Sequence, residues 1–558
     1  MSAVMSALRR LPLASLRLPV LVKDLTEQAA QRRTYIIRFV YGLVLFASSG
    51  VLFYANLGIG ATARQTLGRG STHFAILLTF QLVVMYLVVP LLTAGAIAGE
   101  RQRETLVLLL LSPLTPRQIV LQKYLSRMTP VLSFVFLSFP LLAITYTFGG
   151  VTVAELILGI VVLIFVCLEL GAFGIMCSAW CATTAQALGA TYVGALLFPW
   201  FCSGVCCTLP AAGLWGAENV SHVAAVVAAG FCVFSTAACL TIAETVLAGR
   251  TFVTANRNVP PVLRLMDRFF EAMNSAAGGI VLLRDRPGLP AREPIRWRET
   301  RKRSLGTPRY LARVLLAIEL PVLVVAPAIR LYAAPAVQER AILTVLGLAW
   351  MSAILLVGVF AASLVSQERS RQTLSVLLTS PLTGRQILEQ KFAGVDRLIV
   401  ILLVPLTSLV LFEAWWHSPV SGTYLLLSAA SFAVYLACVK WLAGGLGLRL
   451  RTQLLAMVAT VCVLVVWIGS LGLAIPTLTR FHLDSPAIRE LIFVLSPIDV
   501  VRSIQRTATN AAGYTTDSIK SYRPFLLHFA LYGGVWFLLR MMCLRNIDRR
   551  LGRIPLPR

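Results

Sequence analysis

The chain has 558 residues, 58% of them hydrophobic and 13% charged, with a mean hydropathy of +0.79. That composition excludes a soluble globular protein and is that of a polytopic membrane protein. The net charge of +26 would suit a nucleic-acid binder, but 35 of the 50 Lys and Arg fall in segments on the side of the N-terminus, against 10 on the other. That asymmetry is the positive-inside bias of a membrane protein and leaves no role for nucleic acid.

The first 35 residues lack a sustained apolar core and carry Arg9, Arg10, Arg17, Lys23, Arg32 and Arg33, so no signal peptide is expected and the N-terminus is expected in the cytoplasm. Pro19 to Arg38 is a basic, moderately apolar approach to the first span, and Pro294 to Arg313 repeats it at an offset of 275. Pro19 meets Pro294, Lys23 and Asp24 meet Arg298 and Glu299, and Tyr35 and Arg38 meet Tyr310 and Arg313. Each copy reads either as a helix lying on the membrane face, with Trp297 suited to the interface, or as an ordinary basic flank. Hydropathy predicts six spans in the first half, near residues 36–57, 74–97, 128–148, 153–180, 187–209 and 223–247, and six in the second, near 311–329, 341–365, 398–415, 424–446, 454–473 and 525–544. The expected fold is therefore an all-α polytopic membrane protein of about 12 transmembrane helices. Six being even, both halves face the same way, in two parallel repeats about an axis along the membrane normal.

Between the second and third spans, Glu100 to Lys123 reads ERQRETLVLLLLSPLTPRQIVLQK, and Glu368 to Lys391 reads ERSRQTLSVLLTSPLTGRQILEQK, with 16 of 24 positions identical and no gap. A fixed-offset echo of this length marks internal duplication. The apolar run Leu106 to Leu111 is far shorter than the roughly 20 residues that cross a bilayer, and charges on both sides hold it at the water. Thr115 to Gln118 carries the signal of an N-cap, a proline at the first helical position and a capping-box glutamine, and Thr383 to Gln386 repeats it with Gly384 in place of proline. Something must cover so apolar a run: either neighbouring spans of its own half or a separate soluble partner. Two copies suit a partner that is itself two-fold.

The order of an acidic residue, Thr-Leu, an apolar run, Ser-Pro-Leu-Thr, Ile and Lys resembles the cytoplasmic loop of type-2 ABC transporter permeases. In that family the loop carries the coupling helix that touches the ATPase, and the segment before the first span is an elbow helix on the cytoplasmic face. Glu104 and Gln372 stand where the family usually has a small Gly, and Val107 and Ser375 where it has an acid. Carried over residue by residue, the resemblance implies ATPase coupling through Glu100, Thr105, Leu106, Leu109, Leu110, Ser112, Pro113, Thr115 and Lys123, and through Glu368, Thr373, Leu374, Leu377, Leu378, Ser380, Pro381, Thr383 and Lys391.

The remaining segments divide the chain into a first permease half (1–248), a basic linker (249–293) and a second half (294–558). In the linker, Val262, Leu265, Met266, Phe269, Phe270 and Met273 fall on one helical face, which suits a helix on the inner leaflet or one that binds a partner. Residues 476–523 form the one long external loop, in which Leu491 to Leu495 before Ser496-Pro497 is too short to span, so a re-entrant or surface helix or a plain solvated loop is expected. The basic tail from Arg545 is expected back in the cytoplasm. All eleven cysteines lie in apolar segments and read as small buried hydrophobes. Glu169, Glu319 and Lys440 lie inside predicted spans, where charge is costly, and read as a charge pair, a solvated cavity wall or substrate contacts.

The sequence holds no Walker A pattern, HExxH, GxSxG or metal-spaced His cluster. No catalytic residue and no metal site is therefore expected, and no cofactor in this chain. The reading is the transmembrane subunit of an ATP-driven ABC exporter in the cell (inner) membrane. ATP and Mg would be bound by two copies of a soluble ABC ATPase. The alternatives are a twelve-span secondary transporter, whose commonest superfamily would carry glycines absent from this loop, and a non-transporting membrane scaffold.

Overall fold

The structure is a computed structural model that describes residues 18–57, 70–201, 222–250, 293–300, 308–332, 335–370, 372–416, 422–450, 452–480, 486–509, 523–545 and 547–551. These residues are helical with short connections, and no strand occurs among them. The chain resolves into two compact units, Met1–Asn256 and Arg257–Arg558, each described by itself.

The first unit contains α1 (Pro19–Ala30), α2 (Arg32–Leu57), α3 (Gly70–Thr93), α4 (Ala98–Gln102), α5 (Leu106–Leu110), α6 (Pro116–Thr147), α7 (Val153–Trp180), α8 (Thr184–Phe201) and α9 (His222–Arg250). The second contains α10 (Pro294–Thr300), α11 (Pro308–Tyr332), α12 (Pro335–Ser370), α13 (Leu374–Leu378), α14 (Gly384–Trp416), α15 (Gly422–Arg449), α16 (Gln453–Arg480), α17 (Pro486–Leu495), α18 (Pro497–Thr509), α19 (Arg523–Leu544) and α20 (Ile547–Leu551). Eight segments among the described residues are long and apolar enough to cross a membrane: α3 running on through α4, then α6, α7, α9, α12, α14, α15 and α19. The other four expected spans fall on α2, α8, α11 and α16, helices that do not meet that mark within the described residues. The linker helix near residues 262–273 and the loop at 210–221 lie outside the described residues.

In the first unit α7 is central, packed against α3, α6, α8 and α9. Its start is sharply set: the Thr152 hydroxyl accepts from Glu155 N at 3.2 Å, and Glu155 Oε2 accepts from Thr152 N at 2.7 Å, a reciprocal capping box. The turn before it places Gly149 and Gly150 at φ 73° and 82°, a left-handed backbone that side chains resist. The second expected span is interrupted. After Pro90, α3 ends at Thr93, and Ser178 Oγ accepts from both Ile97 N and Ala98 N at 2.9 Å. A proline inside a helix disturbs the backbone ladder, and a neighbouring hydroxyl takes up the donors left over. The matching stretch of the second unit has Gly358 in place of the proline, and α12 runs unbroken.

In the second unit α15 packs against α12, α16 and α19. At Gly447 a Cβ would come within 2.4 Å of the Ala362 carbonyl oxygen, so glycine is what permits the approach of α15 to α12. The long-loop segment forms two helices, α17 and α18, joined at Ser496, whose hydroxyl accepts from Asp499 N at 3.3 Å. Buried His528 of α19 bonds Tyr435 Oη at 2.5 Å and the Val494 carbonyl at 2.7 Å, while Tyr532 donates to the Leu495 carbonyl at 2.6 Å. The C-terminal end of α17 is thereby tied to α15 and α19. Of the described cysteines, Cys462 on α16 is exposed, contrary to the expectation that all are buried.

Candidate functional site

Both repeated loops fold as a short helix, a Ser-Pro break and a second helix, but the second helix is not short. α6 and α14 run from the break straight through the third span of each half, 32 and 33 residues long. At about 1.5 Å per residue, either helix exceeds the roughly 30 Å of a hydrocarbon core. Each is therefore longer than a crossing requires, and its first turns are one continuous helix with the spanning segment.

The expected capping boxes are present in both copies. Thr115 N donates to Gln118 Oε1 at 3.0 Å and Gln118 N to Thr115 Oγ1 at 3.3 Å; the corresponding distances for Thr383 and Gln386 are 2.9 and 3.3 Å. Ser112 and Ser380 close the short helices by donating to the Leu109 and Leu377 carbonyls at 2.5 and 2.7 Å. Pro113 and Pro381 are exposed at the break. Gly384, where the first copy has Pro116, leaves a backbone N–H that donates to Asp548 of α20 at 3.1 Å.

Lys123 and Lys391, which the resemblance places among the coupling residues, are buried in ion pairs within their own units. Lys123 is 3% exposed and its Nζ lies 3.1 Å from Asp24 of α1 and 3.2 Å from Glu100. Lys391 is 2% exposed and lies 3.3 Å from Glu299 of α10 and 2.8 Å from Glu368. Glu100 and Glu368 in turn accept from the hydroxyls of Thr105 and Thr373, just before the short helices. Beside each lysine a glutamine holds the elbow: Gln122 Oε1 accepts from Val20 N at 2.9 Å, and Gln390 Oε1 from Ile295 N at 3.1 Å. Arg101 donates to the Ala179 and Cys181 carbonyls at 2.9 and 2.6 Å, and Arg369 to Leu448 and Leu450 at 3.3 and 2.8 Å. Each arginine caps the C-terminal end of the fourth span, where carbonyls lack helical partners. Asp24, Glu299, Gln122, Gln390, Arg101 and Arg369 were not among the residues assigned from sequence, although each is matched across the repeat, which was the available signal.

The apolar run splits between two faces. Leu106 is buried, and Leu109 and Leu110 pack half-buried against the core of their own unit. Val107, Leu108 and Leu111 are the exposed members, so neighbouring spans of its own half cover only part of the run. In the second loop Leu374, Leu377 and Leu378 are half-buried, while Ser375, Val376 and Thr379 are exposed. Leu108 and Val376 occupy matching positions, 69% and 72% exposed.

Glu104 and Gln372 have φ of 62° and 57°, the left-handed region that costs an L-residue about 1–2 kcal/mol. That is the physical reason for a glycine there. We predict that Glu104→Gly with Gln372→Gly raises the unfolding midpoint of the detergent-solubilised chain and that Glu104→Val lowers it; both side chains are exposed, so little packing is lost. The net gain per site is expected below about 1 kcal/mol, since glycine returns part of it as chain entropy.

Of the charges inside predicted spans, Lys440 Nζ is 2.6 Å from Asp396 of its own unit and lies over the Phe392 and Trp441 rings. Buried Glu169 Oε2 is 3.6 Å from Cys232 Sγ, and Glu319 is half-buried on α11. A further buried pair, Arg330 with Glu413 at 2.7 Å, was not anticipated.

Residues 20–212 match the family model of the ABC-2 family transporter protein. The first half is an ABC-2 family transporter domain. The match spans α1, the first repeated loop and the helices that carry it. The chain is thus a multi-pass membrane protein whose first half carries a domain of a transporter family that typically works with an ATPase partner. The second loop lies beyond the matched residues and resembles the first in sequence and in its buried lysine between two acids. No curated protein matches the chain.

Proposed function

We propose that the permease is both transmembrane halves of an ATP-driven exporter fused in one chain, with two copies of a separate ATPase docked on the two loops. The observation that carries this reading is the duplicated loop itself: in both units a lysine between two acids, with a threonine bonded to the second acid, holds a short helix whose position 108 or 376 presents an exposed aliphatic side chain. An exposed aliphatic side chain on a surface element held in place by buried ion pairs suits docking better than packing within the chain. The chain would lack a nucleotide site of its own, with ATP and Mg held by the partner. Both termini and both loops would face the cytoplasm of a cell whose inner membrane the twelve spans cross.

Two measurements test this reading. Impermeant thiol labelling of Arg103→Cys and Ser370→Cys, both exposed positions, is expected to fail from outside intact cells and to succeed after permeabilisation. The purified wild-type permease is expected to carry an ATPase and to support ATP-dependent transport. Labelling from outside would overturn the topology, and uptake driven by an ion gradient with no ATPase attached would establish the secondary-transporter reading instead.

A further inference from the structure

We infer that in each half a buried lysine clamps the elbow helix to the coupling loop, so that the two move as one mechanical body. The connection is continuous through side chains. Asp24 on α1 holds Lys123, Lys123 holds Glu100, and Glu100 holds Thr105 at the foot of α5. Ser126 adds a hydroxyl bond to Asp24 at 3.1 Å, and Gln122 takes the backbone donors of Val20 and Leu21 at 2.9 and 3.2 Å. These contacts join segments about a hundred positions apart in sequence, so nothing local requires them.

The second half repeats the arrangement with a different acid. Glu299 replaces Asp24, and Lys391 still sits between it and Glu368, which holds Thr373 at the foot of α13. Arg298 adds a second link from α10 to Glu368 at 2.6 Å. The elbows share few residues, yet both keep a buried acid on the same lysine. Burying an ammonium between two carboxylates costs desolvation that only good geometry repays. If the elbow needed nothing but an apolar seat, leucines would serve as well. A pair of charges instead sets one register between the helices, and a rigid register is what carries displacement from one to the other. Neither lysine can reach a docked protein, because both are enclosed. They are positioning residues: a push on the exposed face of α5 or α13 would be delivered to the elbow on the membrane face.

The direction of that push rests on the proposed docking reading; the clamp itself does not, and its test uses the full-length chain alone. Spin labels on a non-native ketone side chain at Ala29 and Arg103, both exposed, leave the native cysteines untouched and report the elbow-to-loop distance in lipid nanodiscs. A single narrow distribution is expected for the wild type and for Asp24→Glu. Asp24→Asn keeps the Lys123–Glu100 contact within the loop and so preserves the fold, but is expected to lose the narrow distribution. Asp24→Lys, which sets a second ammonium against Lys123, should lose it too. A distribution in Asp24→Asn or Asp24→Lys as narrow as the wild type would overturn the clamp, since the link would then be one of shape and not of charge.

Discussion

Leu108→Asp is expected to strip most of the proposed ATPase partner from the chain, while Val376→Asp should strip less. In the first loop Val107, Leu108 and Leu111 are all exposed, at 60%, 69% and 77%; the second presents Val376 between Ser375 and Thr379. Burying one leucine is worth roughly 1.5–3 kcal/mol, and about 1.4 kcal/mol is tenfold in affinity. A charged residue at position 108 should therefore weaken the first contact by about ten- to a hundredfold before the cost of desolvating the carboxylate is added. If both loops engage one two-fold partner, as proposed, they act with avidity, and the double variant should lose more than either alone. The check is the fraction of a co-expressed ATPase that stays with the detergent-solubilised permease. Leu109→Asp would be a poor substitute, because Leu109 packs against the core of its own unit and charging it should damage the fold. Undiminished ATPase on the Leu108→Asp, Val376→Asp double variant would refute the docking surface.

Lys123→Met should be among the most destabilising single changes in the first half. Methionine fills similar volume but leaves Asp24 and Glu100 facing each other without a cation in a site where Asp24 is buried. Breaking a buried ion pair by removing one partner typically costs about 3–5 kcal/mol. Replacing all three charges, as in Asp24→Leu, Glu100→Leu and Lys123→Met, should recover much of that loss, since no unpaired charge remains. Thermal unfolding of the three proteins in one detergent decides the matter. If the single variant is as stable as the wild type, the charges are solvated in the membrane-bound chain and the fastener is weaker than its geometry.

The all-helical membrane fold, the positions of eight spans, the repeated loop and the capping boxes at Thr115 and Thr383 were legible in the sequence, for a common reason. Each depends on local chemistry: apolar length against bilayer thickness, a cap three residues from its partner, an echo at fixed offset. What sequence could not show was which side of the short apolar helices faces inward. Five residues make little more than one turn, too few for periodicity to distinguish Leu106 and Leu109 from Val107 and Leu108; only the packing of the neighbouring spans does so. The same holds for Lys123 and Lys391. Their place in the repeated motif marked them, but the acids that hold them from the elbows, Asp24 and Glu299, lie 99 and 92 residues away. Only the folded chain, by bringing elbow and loop together out of water, turns those charges from surface decoration into a clamp.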